Sequence, residues 1–464
     1  MNFYRTRSRA EARNRVISAG YEIVSNRGFD NLNRQKLALV AKVSEGEIAQ
    51  IFPSDDDLRQ ELQSELDATI IRFGDYELGK LPNNASPLDK LKTIGRAYFS
   101  FSQEAPDVFG AFISTPFHTH ISTPFHTQFP KDFEEDFNAL NMRPTITRVL
   151  GYVRDMIIEL DGPRDADYLV KIGLASYAAI HGITHLCTFG ICRFLSPVAK
   201  KQLLQGSLES LTSGIIRSIK SGGAEVIEPT KLGGDIPFNA VPKAPEFPHG
   251  NDDEKQVAMY RGLIDLVWDY DQAHVDLPTV AEYAGLSKTD VLRLADGSDK
   301  LLKEVEDYLD NQDQGFIGAQ CFSLPGGSNA FSYLKAAGFG YVTFAMHDPI
   351  GWNVLIEIAS GAIVPADFEN FDQSERMGVA YTFLMELTKK AIENSDTPRQ
   401  AWILYSQVFS AWASAHGLAH LFSTGPLKDM SEDTKLELLS PVFDIVVQGL
   451  LGTLNIESTG ELKE

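Results

Sequence analysis

Apolar residues recur at spacings of three and four along almost the whole chain, and period-two alternation is nearly absent. The pattern predicts helices throughout and an all-α fold. Near the N-terminus it breaks into three segments. A helix over 9–26 stops at Gly28, and Asn33 is placed to cap a short helix over 34–41. After the turn Lys42-Val43, Ser44 caps a third helix running to Phe52. Residues 254–271, 277–284 and 288–295 repeat that layout, with Asp276 and Ser287 as the caps. A short helix, a tight turn and a second short helix form the helix-turn-helix layout, a pairing that any helical bundle can also offer.

The second layout belongs to a longer duplication. ALVAKVS (38–44) lies over AEYAGLS (281–287) at an offset of 243, which also sets Leu58 over Leu301, Tyr98 over Tyr341, Phe101 over Phe344 and Pro106 over Pro349. Further on the offset is 235. There PKDF (130–133) meets PADF (365–368), DGPR (161–164) meets DTPR (396–399), and IHGITHL (180–186) meets AHGLAHL (415–421). Between the two registers stands an eight-residue phrase written twice, ISTPFHTHISTPFHTQ (113–128). Its length equals the fall in offset, so it reads as a local duplication inside the first half. A metal tract from His118, His120 and His126 is the weaker reading, because the second half has no counterpart. Residues 221–253 carry five glycines and five prolines with little periodicity, which makes them a linker spanning about 30 Å as a flexible coil. The resulting organisation is a helix-turn-helix domain over 1–74, a helical domain over 75–220, the linker over 221–253, a second helix-turn-helix domain over 254–312, and a second helical domain over 313–455.

Charge changes the picture locally. The net charge of -21 argues against a general nucleic-acid coat or an anionic-membrane binder. Residues 1–44, however, contain nine Lys/Arg and three acids, whereas residues 251–310 contain six basic and fifteen acidic residues. If one module meets DNA, it is the first. Three cysteines, Cys187, Cys192 and Cys321, have no close-set ligand spacing, and no window approaches 18 uninterrupted apolar residues. The expectation is a soluble cytoplasmic protein with buried thiols and no membrane partner.

The segment VISAGYEIVSNRGFDNLNRQKLALVAKVSEGEIAQIFPSDDDL (16–58) resembles the N-terminal DNA-binding domain of the TetR family of bacterial transcriptional regulators, and 260–302 is similar in more diverged form. Tyr177-Ala-Ala-Ile-His181-Gly182 and Trp412-Ala-Ser-Ala-His416-Gly417 resemble the tryptophan-histidine-glycine motif of one class of TetR C-terminal domains. The resemblance implies an all-α homodimer whose C-terminal helices bind a small effector and pair through a four-helix bundle. Two such modules in one chain imply a single-chain pseudodimer, alone or paired again. Family members commonly place a tyrosine in the recognition helix and a lysine at the start of the next, both on phosphates. Here those positions are Ala49 and Asp55 in the first half, and Leu292 and Ser298 in the second.

On this reading the phosphate contacts fall to Arg5, Arg7, Arg9, Arg13, Arg34, Lys36 and Lys42. The recognition-helix residues are Ser44, Glu45, Gly46, Glu47 and Gln50, with Lys288, Thr289 and Arg293 in the second module. The aromatic residues Tyr98, Phe101, Phe109 and Phe112, with Tyr341, Phe344 and Trp352 opposite, are core residues and candidates for lining an effector pocket. His181/His185 and His416/His420 stand at i, i+4, the spacing of a two-histidine metal edge. Gly182 and Gly417 occupy the place a catalytic glutamate would need, so core or interface histidines are expected, with no metal or other cofactor. The chain has no nucleophile elbow, glycine-rich phosphate loop or paired catalytic carboxylates, so no enzyme is expected. Two functions fit: a regulator, expected to act as a repressor, binding double-stranded operator DNA and a small apolar effector, or a ligand- or partner-binding scaffold without DNA binding.

Overall fold

The computed structural model describes residues 2–27, 32–115, 143–161, 166–220, 251–270, 272–326, 328, 330–359 and 401–454. The second half of the doubled phrase, most of its first half, Gly28, and residues 221–250 lie outside the described residues, as do the side chains of Arg5 and Arg7. Every regular element among the described residues is a helix. They are α1 (Asn2–Arg27), α2 (Arg34–Ala41), α3 (Glu45–Ile51), α4 (Asp55–Leu78), α5 (Pro87–Glu104), α6 (Pro106–Ile113), α7 (Pro144–Asp161), α8 (Ala166–Thr188) and α9 (Pro197–Lys220). After residue 250 come α10 (Asn251–Asp269), α11 (Leu277–Ala284), α12 (Lys288–Leu294), α13 (Ser298–Phe322), α14 (Ala330–His347), α15 (Pro349–Ala359), α16 (Ala401–Ser423) and α17 (Glu432–Leu454).

The duplication reappears in the helix starts. From α2 and α11 to α6 and α15, each helix begins 243 positions before its counterpart, and α8/α16 and α9/α17 begin 235 apart. Local chemistry fixes these starts twice over. Asn33 accepts from the Lys36 N–H and Asp276 from the Thr279 N–H, while Ser44 and Ser287 cap α3 and α12 in the same way. Two places differ: Lys42 is held at a φ of 54° where the second half has Gly285 at 64°, and the Ser54 cap of α4 is replaced at α13 by Gly297, which makes no side-chain cap.

Two compact units divide the chain: Met1–Gly173 with Thr424–Met430, and Leu174–Ser423 with Ser431–Glu464. In the first, Leu37, Ile48, Leu58, Leu62 and Leu66 are buried in the space between α1, the short helices and α4. Burying each contributes about 1.5–3 kcal/mol relative to leaving it in water. A buried network then ties α4 to α7. The Arg143 guanidinium donates to Asp67 Oδ2 (3.1 Å) and to the carbonyls of Phe112 (3.2 Å) and Thr115 (3.3 Å), and Thr145 Oγ1 donates to Asp67 Oδ1 (2.6 Å).

The second unit contains α10 to α17 together with α9 and most of α8, so helices from both halves of the sequence share one core. They meet at two small-residue crossings. A Cβ on Gly182 of α8 would overlap the backbone carbonyl of Ala413 on α16, and one on Gly417 would overlap that of Ala178. Gly214 of α9 and Gly449 of α17 abut Ile445 and Ser210 likewise. Each contact reciprocates the other at the 235 offset, which is the signature of an isologous, two-fold contact. By length and apolar content α17 could span a bilayer, but 61% of that window is buried in this core.

Candidate nucleic-acid interface and effector site

In the first helix-turn-helix, Glu45, Gly46, Ala49 and Gln50 are exposed on α3, while Ile48 anchors the helix from behind. Glu47 is also exposed, but its carboxylate accepts from the Ser44 N–H and hydroxyl (both 2.9 Å), closing a capping box that lowers its pKa. Part of the basic complement is committed elsewhere. Arg13 pairs with Glu65 (2.8 Å) and with Glu61, and Arg34 pairs with Asp55 (2.5 Å) while donating to the Phe52 carbonyl. Arg9 donates to the Gln50 carbonyl (2.8 Å) and Arg15 to the Lys42 carbonyl (3.3 Å), so both guanidinium groups sit at the ends of the short helices. Lys36 on α2 is half-buried, and Lys42 in the turn is exposed.

The second helix-turn-helix presents a different face. Lys288 lies 3.9 Å from Glu282, and Arg293 lies 4.0 Å from Asp290, which also takes a hydrogen bond from Lys255 (2.8 Å). Thr289 is exposed, and Leu292 is 63% exposed where a phosphate anchor would stand in the resemblance described above.

The aromatic candidates occupy equivalent positions in the two halves. In the first unit, Tyr98 meets Phe109 edge-to-face (5.0 Å, 76°) and approaches Phe112, whose ring lies under the Arg143 guanidinium; Phe101 packs on Phe73. In the second unit, Tyr341 meets Trp352 edge-to-face (6.1 Å, 77°), and Phe344 packs on Phe316. The arrangement is the same, but the second set is more polar. Trp352 replaces Phe109, and its indole nitrogen is buried without a well-formed hydrogen bond among the described residues.

The four histidines converge in two crossed pairs. His181 Nε2 meets His420 Nδ1 at 3.0 Å, and His185 Nδ1 meets His416 Nε2 at 2.9 Å. Tyr341 extends the second pair, its hydroxyl lying 3.0 Å from His416 Nδ1. With the phenol donating, the imidazole hydrogens order themselves: His416 Nε2–H donates to His185 Nδ1. Burial, reinforced by neighbouring imidazoles, lowers the pKa of His181, His416 and His420 well below the usual value, and burial alone brings His185 down to about 4. The rings are therefore neutral at pH 7. Nitrogens that face each other in hydrogen bonds have no shared point for a cation, and among the described residues no three His, Cys, Asp or Glu side chains are placed to hold a metal ion.

Sequence reasoning missed two buried carboxylates. Asp67 is 5% exposed and Asp313 3% exposed, and pattern alone gives neither away, since each sits among polar neighbours on an amphipathic helix. No protein-family model matches the chain, and no curated protein matches it.

Proposed function

We propose that the protein is a transcriptional regulator of the TetR type, with two tandem modules in one chain acting as a pseudodimer. The first helix-turn-helix binds operator DNA, and the helical bundles bind a small effector. The observation that carries this reading is the repeated order of a capped short helix, a left-handed turn residue, a serine-capped second helix and a long helix, followed by a bundle whose last helices cross reciprocally. That order is what the resemblance of 16–58 and of the two His-Gly motifs leads one to expect.

DNA contact rests on the first module. Arg9 reaches the end of α3, Arg15 the turn at Lys42, and Lys36 and Lys42 add their charges on α2 and its turn, whereas Lys288 and Arg293 of the second module lie against acids. About four phosphate contacts from one module predict a slope of about -3.6 for log affinity against log salt. The test is a mobility-shift titration of the intact protein against the DNA upstream of its own gene, at several salt concentrations and without added effector. Binding with such a slope, flattened when Arg9, Lys36 and Lys42 become alanine, supports the reading. Failure of the folded protein to bind any promoter fragment at low salt overturns it in favour of a ligand- or partner-binding scaffold on the same fold.

A further inference from the structure

Two of the three cysteines, too far apart in sequence to form a close-set motif, meet in the fold. Cys187 stands on the last turn of α8 and Cys192 in the turn that leads to α9, and both are fully buried. The chain folds back over the helix end to bring them together: the Gly190 N–H donates to the His185 carbonyl (3.1 Å) and the Cys192 N–H to the Leu186 carbonyl (3.0 Å). Their thiols hydrogen-bond to each other. Gly190 lets the turn sit this close, since a Cβ there would stand 3.0 Å from the Leu186 Cα. Phe194, two residues after Cys192, is 53% exposed, so the chain reaches the surface directly after the pair.

The thiol pair belongs to the first half alone. At the 235 offset Cys187 and Cys192 are matched by Phe422 and Leu427, so the repeated fold asks only for apolar side chains at these places. The lysine beside them is common to both halves. Lys435 is buried and donates to the Phe422 carbonyl (2.8 Å), and its counterpart is Lys200. Burial lowers the Lys200 pKa, and both thiols act on it in the opposite sense. Burial, then Cys187, raises the Cys192 pKa well above its usual value, with Lys200 opposing. Cys192 therefore keeps its proton at neutral pH unless a ligand displaces it.

Adjacent thiols are a soft ligand set, and thiolates select soft ions such as Cu(I). The pair supplies two ligands, and among the described residues it is not part of a group of three His, Cys, Asp or Glu, whereas structural zinc takes four. Charge narrows the choice further. Two thiolates around a monovalent ion keep one net negative charge, which is costly to bury alone and is offset by the Lys200 ammonium; around a divalent ion the pair would be neutral and the lysine would add nothing. We propose that Cys187 and Cys192 form a binding site for one soft monovalent cation of the Cu(I) class, held between the two sulfurs with Lys200 as the counter-charge. Each thiol gives up its proton as its sulfur binds the ion, so one cation enters, two protons leave, and no electron changes hands. Occupied, the site ties the end of α8 to the turn before α9. The proposal depends neither on DNA binding nor on the reading of the bundles as effector domains.

The test is an anaerobic titration of the intact, reduced protein, without DNA, with Cu(I) held by the coloured chelator bicinchoninate. The expected result is transfer of one Cu(I) per chain with release of two protons. The proton count separates this site from the buried imidazoles, which are already neutral and would release none. Cys187→Ala and Cys192→Ala are each expected to lose the site, whereas Cys321→Ala, whose thiol lies 4.0 Å from the Tyr333 carbonyl, is expected to keep it. Lys200→Met is expected to weaken Cu(I) binding by about tenfold or more, the usual effect of removing a group that supports the ligands. No transfer of Cu(I) to the wild-type protein, transfer without proton release, or tighter binding of zinc(II) overturns the proposal, even where a variant fails to fold. So does a folded Cys187→Ala or Cys192→Ala protein that takes the ion as well as the wild type. Unchanged affinity in a folded Lys200→Met protein overturns the counter-charge and with it the preference for a monovalent ion.

Discussion

Asp67 and Asp313 are both buried carboxylates on the long helix that follows a helix-turn-helix, and they have opposite fates. Asp67 is locked by Arg143 and Thr145 into a network that holds α4, α6 and α7 together, while Asp313 has one oxygen without a hydrogen-bond partner among the described residues. The helices that carry them start at equivalent positions, so the backbone is not what separates them. At the 243 offset the counterpart of Asp67 is Asp310 and that of Asp313 is Ile70, so the repeat fixes the helices and not which of their positions carries the buried acid. By contrast, the halves agree where their last helices cross, at Gly182/Gly417, Gly214/Gly449 and the paired imidazoles.

The strongest way to break the agreement is acid. All four histidines have folded-state pKa values below the unfolded value of about 6.5, so the unfolded chain binds more protons in the interval between. Their contribution is fully present above pH 6.5 and is lost as pH falls towards the folded values, about 4 for His185. For His185 alone that amounts to about 3 kcal/mol, at about 1.4 kcal/mol per pKa unit. Denaturant midpoints measured from pH 7.5 down to 4.5 are expected to fall steeply, and less so in a His185→Gln, His420→Gln protein. A flat profile in the wild type would mean that the imidazoles are not desolvated.

Removing one partner of the locked carboxylate comes next. Arg143→Ala leaves Asp67 buried and uncompensated, with an expected loss of about 3–5 kcal/mol in unfolding free energy, whereas Asp313→Asn costs nothing or stabilises. Similar losses from both substitutions would erase the distinction between the two acids.

Much of the frame was legible before any coordinates. Asn33, Ser44, Asp276 and Ser287 mark the helix starts because a cap is a local event: the side chain bonds an N–H two or three residues on, so four residues of sequence contain it. The repeat likewise locates its own equivalences. The four histidines could be picked out by their spacing, but not the crossed order in which they meet, because Nε2 of His181 finds Nδ1 of a ring 239 positions away. Asp67 and Arg143 are 76 positions apart, and nothing local distinguishes a buried acid from one of the many solvated acids on the same helices. The committed state of Arg13 and Arg34 was invisible for the same reason. A count of basic residues overstates the charge available to a phosphate when acids on α4 reach back to them.

A finer test of agreement is to overpack the crossing from each side in turn. Gly182→Ala and Gly417→Ala both push a methyl into a backbone carbonyl, at an expected cost of about 1–3 kcal/mol each. Because the contacts are reciprocal, the two losses should match within about 0.5 kcal/mol in equilibrium unfolding. Unequal losses would show that the crossing is two-fold in outline only.

The smallest expected effect lies in the turns. Lys42→Gly relieves a left-handed residue and should raise stability by less than about 1 kcal/mol, and Gly285→Lys should lower it by about 1–2 kcal/mol. Thermal midpoints suffice to read both, and a destabilised Lys42→Gly protein would indicate that the lysine side chain contributes more to the fold than its turn costs.

The crossing of α8 with α16, and of α9 with α17, has a consequence for how the molecule behaves on dilution. Two separate polypeptides meeting through such glycine contacts would come apart as their concentration fell, following mass action. Here both surfaces belong to one chain, and covalent connection sets an effective concentration in about the millimolar range however few molecules are present. A protein present at a handful of copies per cell would keep this contact formed as fully as one present at thousands.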